Sequence, residues 1–192
     1  KLKEAIGAYT KALALKPDYA DTYNNMGATL QDQGKLEEAI EAYNKAIAIK
    51  PDSADAHHNM GNVLQKQSKL EEAIEAYNKA LVIKPDYADA YYNMGVVLQE
   101  QGKLDEAIEA CNKAIAIKPD STDAYYNMGN VLQEQGKLEE AIEAYKKVIA
   151  IKPDHAGAYN NIGATLQGQG KLEEAIGAYN KALAIKPDYV EA

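Results

Sequence analysis

Five asparagines stand 34 residues apart, Asn25, Asn59, Asn93, Asn127 and Asn161, and they are the side chains best suited to reading another polypeptide. A primary amide offers one acceptor and two donors, which match the backbone groups of a peptide whatever its side chains are. Asparagine is a mediocre helix former, so local propensity does not explain its return in every unit; bonding within the protein itself is the other use for it. One turn earlier stand Asp21, Asp55, Asp89 and Asp123, with Gly157 in the fifth position. Their carboxylates would take donors and cations from a partner, or support the dipole of a helix whose first turn they occupy. Asn24, His58, Tyr92, Tyr126 and Asn160 immediately precede the amides, and Ala28, Asn62, Val96, Asn130 and Ala164 follow one turn on, before a glutamine series at Gln31, Gln65, Gln99, Gln133 and Gln167. This surface is polar and acidic, with Tyr92 and Tyr126 as an aromatic middle, and it predicts a neutral or basic partner.

No residue set has the spacing of a catalytic or metal centre. His57 and His58 are adjacent, hence on different faces of a helix, and cannot hold one metal in the i,i+4 manner. His57 replaces a core tyrosine, and His58 belongs to the polar surface. Cys111 takes the place held by Tyr43, Tyr77 and Tyr145 in other units, which predicts a small buried substitute rather than a nucleophile. Without a Ser-His-Asp arrangement, a phosphate loop or a metal cluster, the expectation is a protein that is not an enzyme and needs no cofactor or metal.

The elements that position these residues follow from the period. Prolines fall at 17, 51, 85, 119, 153 and 187, and Gly27, Gly61, Gly95, Gly129 and Gly163 keep the same 34-residue interval, as do Ala39, Ala73, Ala107, Ala141 and Ala175. A fixed period of this length means a repeat architecture. Within residues 20–53, Tyr23, Met26, Gly27 and Leu30 lie at i, i+3, i+4 and i+7, one face of a first helix, A. Leu36, Ala39, Ile40, Tyr43, Ala46 and Ile47 form the same stripe on a second helix, B. Gly34 suits the turn between them. Pro51 stops helix B, and Asp52 is expected to cap the next helix A. The chain therefore divides into a half repeat, 1–19, holding helix B only; full repeats 20–53, 54–87, 88–121, 122–155 and 156–189; and the start of another at 190–192, all in one array.

The pattern Tyr23-x-x-Met26-Gly27-x-x-Leu30, then Ala39-x-x-x-Tyr43 and Pro51, resembles the tetratricopeptide repeat. Departures are small: Tyr or His stands for the leading aromatic, and Ser68 occupies the place of the turn glycine. The resemblance implies an all-α, right-handed superhelix of antiparallel helix pairs, an α-solenoid with A helices lining a concave groove, and a role as a scaffold that binds protein or peptide. The asparagine ladder is similar to that in the repeat domain of O-linked N-acetylglucosamine transferases, which implies that it holds extended peptide by the backbone. With helix pairs advancing about 10 Å and extended chain about 3.3 Å per residue, the ladder would span a peptide on the order of 12 residues. Some tetratricopeptide domains clamp acidic chaperone tails with Lys and Arg around asparagines; here the early helix A positions are Asp and Arg is absent, which argues against that partner. Two alternatives stay open, a substrate-recruiting arm of a larger glycosyltransferase and a self-assembling structural array.

Bulk properties narrow the partners further. A net charge of −8, with every basic side chain a lysine, speaks against nucleic acid and anionic membrane, both of which need a basic patch. No apolar run approaches the roughly 18 residues of a membrane span. A single cysteine ties nothing to an oxidising compartment, so a cytoplasmic setting is the default expectation. The first residues have neither an initiating Met nor a signal-like apolar core and read as an internal start. The last B helix is expected to expose part of Leu172, Ile176 and Tyr179 and so to pack either on another chain, as in end-to-end self-association, or on a further segment.

Overall fold

The computed structural model describes residues 2–187, so the expected start of a further repeat at 190–192 lies outside them. Among the described residues the chain is all-α, with eleven helices and no strand. A lone helix, α1 (Leu2–Leu15), precedes five A/B pairs. These are α2 (Ala20–Asp32) with α3 (Leu36–Ile49), α4 (Ala54–Lys66) with α5 (Leu70–Ile83), α6 (Ala88–Glu100) with α7 (Leu104–Ile117), α8 (Thr122–Glu134) with α9 (Leu138–Ile151), and α10 (Ala156–Gly168) with α11 (Leu172–Ile185). The chain falls into two compact units, Lys1–Val97 and Leu98–Ala192, the division lying within α6.

Each A helix ends because the next residue but one turns left-handed. Gly34 has φ +74°, its N–H donates to the Gln31 carbonyl, and the Lys35 N–H reaches back to Leu30. That pair of bonds is a Schellman closure, which satisfies carbonyls that the helix end would otherwise leave open. Ser68 adopts the same backbone at φ +58° without the freedom of glycine. Each B helix stops before Lys-Pro-Asp, and the cap of the following A helix falls one residue later than the sequence suggests. Ser53 Oγ, not Asp52, accepts the Ala56 N–H at 3.3 Å; Ser121 does the same for Ala124, and His155 Nδ1 accepts from Ala158 at 3.0 Å. Asp52 lies in the turn itself, too early to meet the open N–H groups.

In the α2/α3, α4/α5, α8/α9 and α10/α11 pairs, an aromatic ring of helix B lies on the backbone of helix A. A Cβ on Gly61 would sit 2.6 Å from Tyr77, and one on Gly27 would sit 2.6 Å from Tyr43, so only glycine admits the ring there. Tyr43, Tyr77 and Tyr145 are wholly buried, together with Ala39, Ala73 and Ala107, whose small side chains let the helices approach. In the N-terminal unit one core joins Leu30, Ala39, Ala42 and Tyr43 to Val63 of the next pair, so each pair completes its neighbour's core. In the C-terminal unit the corresponding core runs from Leu132 through Tyr145 and Val148 to Ile162 and Ala178. Leu172 and Ile176 are exposed and Tyr179 is half-buried.

Candidate peptide-binding surface

In the N-terminal unit, α2, α4 and α6 carry Asp21, Asp55 and Asp89 in their first turns, all exposed, and one turn on Asn25, Asn59 and Asn93. The structure gives several of the amide donors the other use open to them, bonding within the array. Asn25 is exposed, but Asn59 Nδ2 donates to Asn24 Oδ1 at 3.1 Å, and Asn93 Nδ2 donates to Asn62 Oδ1 at 2.9 Å while lying 2.9 Å from His58 Nε2. Each bond joins residues about one repeat apart, because stacking sets the amide of one A helix beside the preceding residue position of the A helix before it. Asn62 also accepts the Tyr77 hydroxyl at 2.8 Å, so the ladder is tied to the ring that fills the pair.

His58 is the centre of this network and is buried. Its Nδ1 lies 3.2 Å from the Tyr87 hydroxyl, and the two rings pack with centroids 4.8 Å apart. Burial pushes the imidazole below its ordinary range, opposed by the charge of Asp89, a contact with Asn59 and the charge of Asp55, and aided by Lys84. Lys84 Nζ sits 4.4 Å above the Tyr87 ring, and burial raises the Tyr87 phenol. His58 is thus a neutral structural bridge near neutral pH, with Asp55 and Asp89 left at the surface.

The C-terminal unit repeats the arrangement. Asn161 Nδ2 donates to the Tyr126 hydroxyl and to Asn130 Oδ1, each at 3.0 Å, and Asn130 also accepts the Tyr145 hydroxyl at 2.8 Å. Tyr126 is half-buried against His155, centroids 5.0 Å apart, and Asp123 is exposed. Asn127 retains only 6% of its surface, and its Nδ2 lies 3.5 Å from Cys111 Sγ, so its amide points inward. Tyr92 is half-buried.

A second recurring bond escaped sequence reasoning. Gln67 Nε2 donates to Glu37, Gln135 to Asp105 and Gln169 to Glu139, at 2.9–3.1 Å, each across 30 residues. The signal was present in the invariant glutamine just before each turn and the acid that opens each B helix, but their apposition requires knowing how pairs stack.

Models of the TPR repeat match residues 1–34, 29–68 and 66–102, and tetratricopeptide repeat models match 86–154 and 120–188. The chain belongs to the tetratricopeptide repeat family. This tetratricopeptide chain is similar to the crystal structure of YrrB, described as a TPR protein with an unusual peptide-binding site. Identity is 29% with a TM-score of 0.78, over 96% of this chain and 95% of that one. It is also similar to MamA, 32% identical, TM-score 0.80, over 87% of this chain and 98% of that one. PilF of Pseudomonas aeruginosa is 26% identical, TM-score 0.78, over 86% of this chain and 75% of that one. No curated protein sequence matches. Tetratricopeptide proteins are in general protein-interaction scaffolds.

The remaining chemistry of the tetratricopeptide chain is inward. The Cys111 thiol is wholly buried and burial pushes it up to about 11, so thiolate is scarce at neutral pH. His57 and His58 point to different partners, His57 Nε2 to the Pro51 carbonyl at 3.1 Å. Among the described residues no three or more His, Cys, Asp or Glu side chains gather as a metal site, and no helix is long and apolar enough to cross a membrane.

Proposed function

We propose that this protein is a non-catalytic scaffold whose A-helix surfaces bind an extended, neutral or basic peptide, the N-terminal unit supplying the best-formed stretch. The observation that carries the reading is the row of exposed carboxylates, Asp21, Asp55 and Asp89, beside an amide ladder in which Asn59 and Asn93 already donate into the stack. Among the described residues Asn93 Oδ1 accepts no hydrogen bond. Donors spent inward and acceptors left over make a surface that takes donors from its partner: peptide N–H groups, lysine and arginine. On this reading the ladder acts as its likeness to the glycosyltransferase repeat domains implies, by gripping backbone, but mainly through amide oxygens. The peptide-binding character of YrrB supports the same direction.

The test uses the full chain against a library of unstructured peptides graded from acidic to basic, with wild type compared with Asp55→Asn/Asp89→Asn. Both sites are exposed, and the fold loses a modest helix-terminus interaction at each and, at Asp55, a contact with the Tyr87 hydroxyl, so urea midpoints are measured beside the binding. Two exposed ion pairs lost, at about 0.2–1 kcal/mol each, predict binding to basic peptides weaker by roughly two- to thirtyfold and a shallower salt dependence. Preference for acidic peptides, or unchanged binding by the double variant, refutes the reading.

A further inference from the structure

The A-helix surfaces of the two units carry the same bonds with two rings exchanged. In the N-terminal unit His58 of α4 packs on Tyr87, centroids 4.8 Å apart; 68 residues on, Tyr126 of α8 holds the place of His58 and His155 that of Tyr87, centroids 5.0 Å apart. The amides around them correspond. Asn93 donates to Asn62 Oδ1 at 2.9 Å and Asn161 to Asn130 Oδ1 at 3.0 Å, and each accepting oxygen also takes a hydroxyl from helix B, that of Tyr77 or Tyr145. The second contact of the ladder amide differs: Asn93 Nδ2 meets an imidazole nitrogen at 2.9 Å, whereas Asn161 Nδ2 meets a phenol oxygen at 3.0 Å. Of these two rings only imidazole ordinarily changes charge between pH 5 and 8.

The bonds around His58 all run one way. An amide nitrogen has only hydrogens to offer, so the Nε2 that Asn93 meets is the bare nitrogen, and Nδ1 carries the proton and gives it to the Tyr87 oxygen at 3.2 Å. Tyr87 in turn donates to Asp55. A second proton can enter the imidazole only at Nε2, where its N–H would face the N–H of Asn93. The amide then has to turn over and set Oδ1 against the ring. That takes from Asn62 one of its two donors, and it puts a nitrogen where the Asn93 oxygen, which accepts no hydrogen bond among the described residues, now faces a partner. The new charge is favoured by Asp89 on α6 and by Asp55 on its own helix and opposed by Lys84 at the end of α5, while Tyr77 and Tyr87 are the titratable rings packed against it. It also cancels part of the negative field that Asp55 and Asp89 present to a basic chain.

We propose that protonation of His58 switches off the N-terminal peptide surface, so that a proton and a basic peptide compete for it. This rests on the reading of that surface given above and adds its regulation. Competition is reciprocal: acid weakens the peptide, and the peptide lowers the pH at which His58 takes its proton.

The full chain is titrated with an unstructured peptide of lysine, arginine, glycine and serine, which holds no group that changes charge between pH 7 and pH 5, and binding is read from the Asn59 and Asn93 amide signals in the NMR spectrum. From pH 7 to pH 5, above the ordinary range of exposed carboxylates, the dissociation constant should rise about fivefold or more. His58→Tyr gives α4 the ring that α8 holds at Tyr126, and its binding should be the same at both pH values. A second measurement needs no variant: the imidazole signals of His58 in the wild type should titrate at lower pH when the peptide is saturating than when it is absent. Peptide bound at pH 7 but held equally at pH 5, a pH dependence retained by His58→Tyr, or a His58 titration that the peptide leaves in place overturns the switch and spares the reading of the surface. No binding at pH 7 overturns both.

Discussion

Replacing Gly61 with alanine should destabilise the protein even though it puts the best helix former in place of one of the worst. In an open helix the change gains about 1 kcal/mol. Here the new Cβ would meet Cε1, Cδ1 and Cζ of Tyr77 at 2.6, 2.8 and 3.0 Å, where carbon atoms prefer about 3.5–4.0 Å. The ring has to retreat by roughly 1 Å, and it has nowhere to go: Tyr77 is 0% exposed and its hydroxyl is held 2.8 Å from Asn62. Overpacking of this kind costs about 1–3 kcal/mol, and loosening the hydroxyl bond about 1 more. The net is a loss of about 1–3 kcal/mol, or a fall in Tm on the order of 5 °C for a chain of this size.

The molecule supplies its own control. Gly177 is also inside a helix, yet a Cβ there would meet nothing within 4 Å, so Gly177→Ala should raise stability by about 0.5–1 kcal/mol. Gly163→Ala should fall between, because its ring, Tyr179, is half-buried and bonds to the exposed Gln167. Urea midpoints compared at unchanged slope provide the assay. If Gly61→Ala matches or exceeds the wild type while Gly177→Ala behaves as stated, the ring-on-backbone contact is not what places glycine in the repeat.

Two further outcomes follow from local geometry. Ser68→Gly should stabilise the chain by up to about 1 kcal/mol, because Ser68 holds a φ of +58° that the other turns give to glycine; an unchanged urea midpoint would mean that the serine conformation carries no strain. His58 has a pKa below its unfolded value, so the unfolded chain takes the proton first as pH falls, and stability is full above about 6.5 and declines below it toward the folded pKa. Denaturation midpoints between pH 7 and pH 5 should fall more steeply for wild type than for His58→Asn, the residue used at Asn24 and Asn160; parallel curves would remove His58 from the pH response.

The helix pairs were legible because they rest on steric rules that act within a few residues: Gly34 at a left-handed turn, Pro51 where a helix stops, Leu30 and Tyr43 at helical spacing. The cap at Ser53 was one residue away from the expected Asp52 because the Pro-Asp turn lies outside the helix, a matter of backbone path rather than residue preference. The positions of the candidate site were also legible, but not which atoms remain available. Asn93 meets His58 across 35 residues, and only the stacking of α4 on α6 turns an amide donor inward. The role of His57 was half visible, since the missing tyrosine can be read from the sequence but the contact of its Nε2 with the Pro51 carbonyl cannot.

The bonds also separate two periods that the sequence superimposes. Apolar positions repeat every 34 residues, but the half-buried amide that accepts from the ladder recurs after 68: Asn62 serves Tyr77 and Asn93, Asn130 serves Tyr145 and Asn161, and alanine or valine occupies the same place at Ala28, Val96 and Ala164. Each of these oxygens accepts two hydrogen bonds in a part-buried site, so Asn62 and Asn130 hold their partners in place, and Asn93 and Asn161 are thereby the least free to turn toward a peptide. Asn25, exposed, and Asn59, bonded only through Nδ2 to Asn24, keep more of their amide for a partner. Alanine at Asn25 should therefore weaken peptide binding with little effect on stability, whereas alanine at Asn93 should act first on stability, leaving Asn62 short of a donor. The two readouts, peptide affinity and urea midpoint measured on both variants, distinguish a ladder that reads peptide from one that holds the stack.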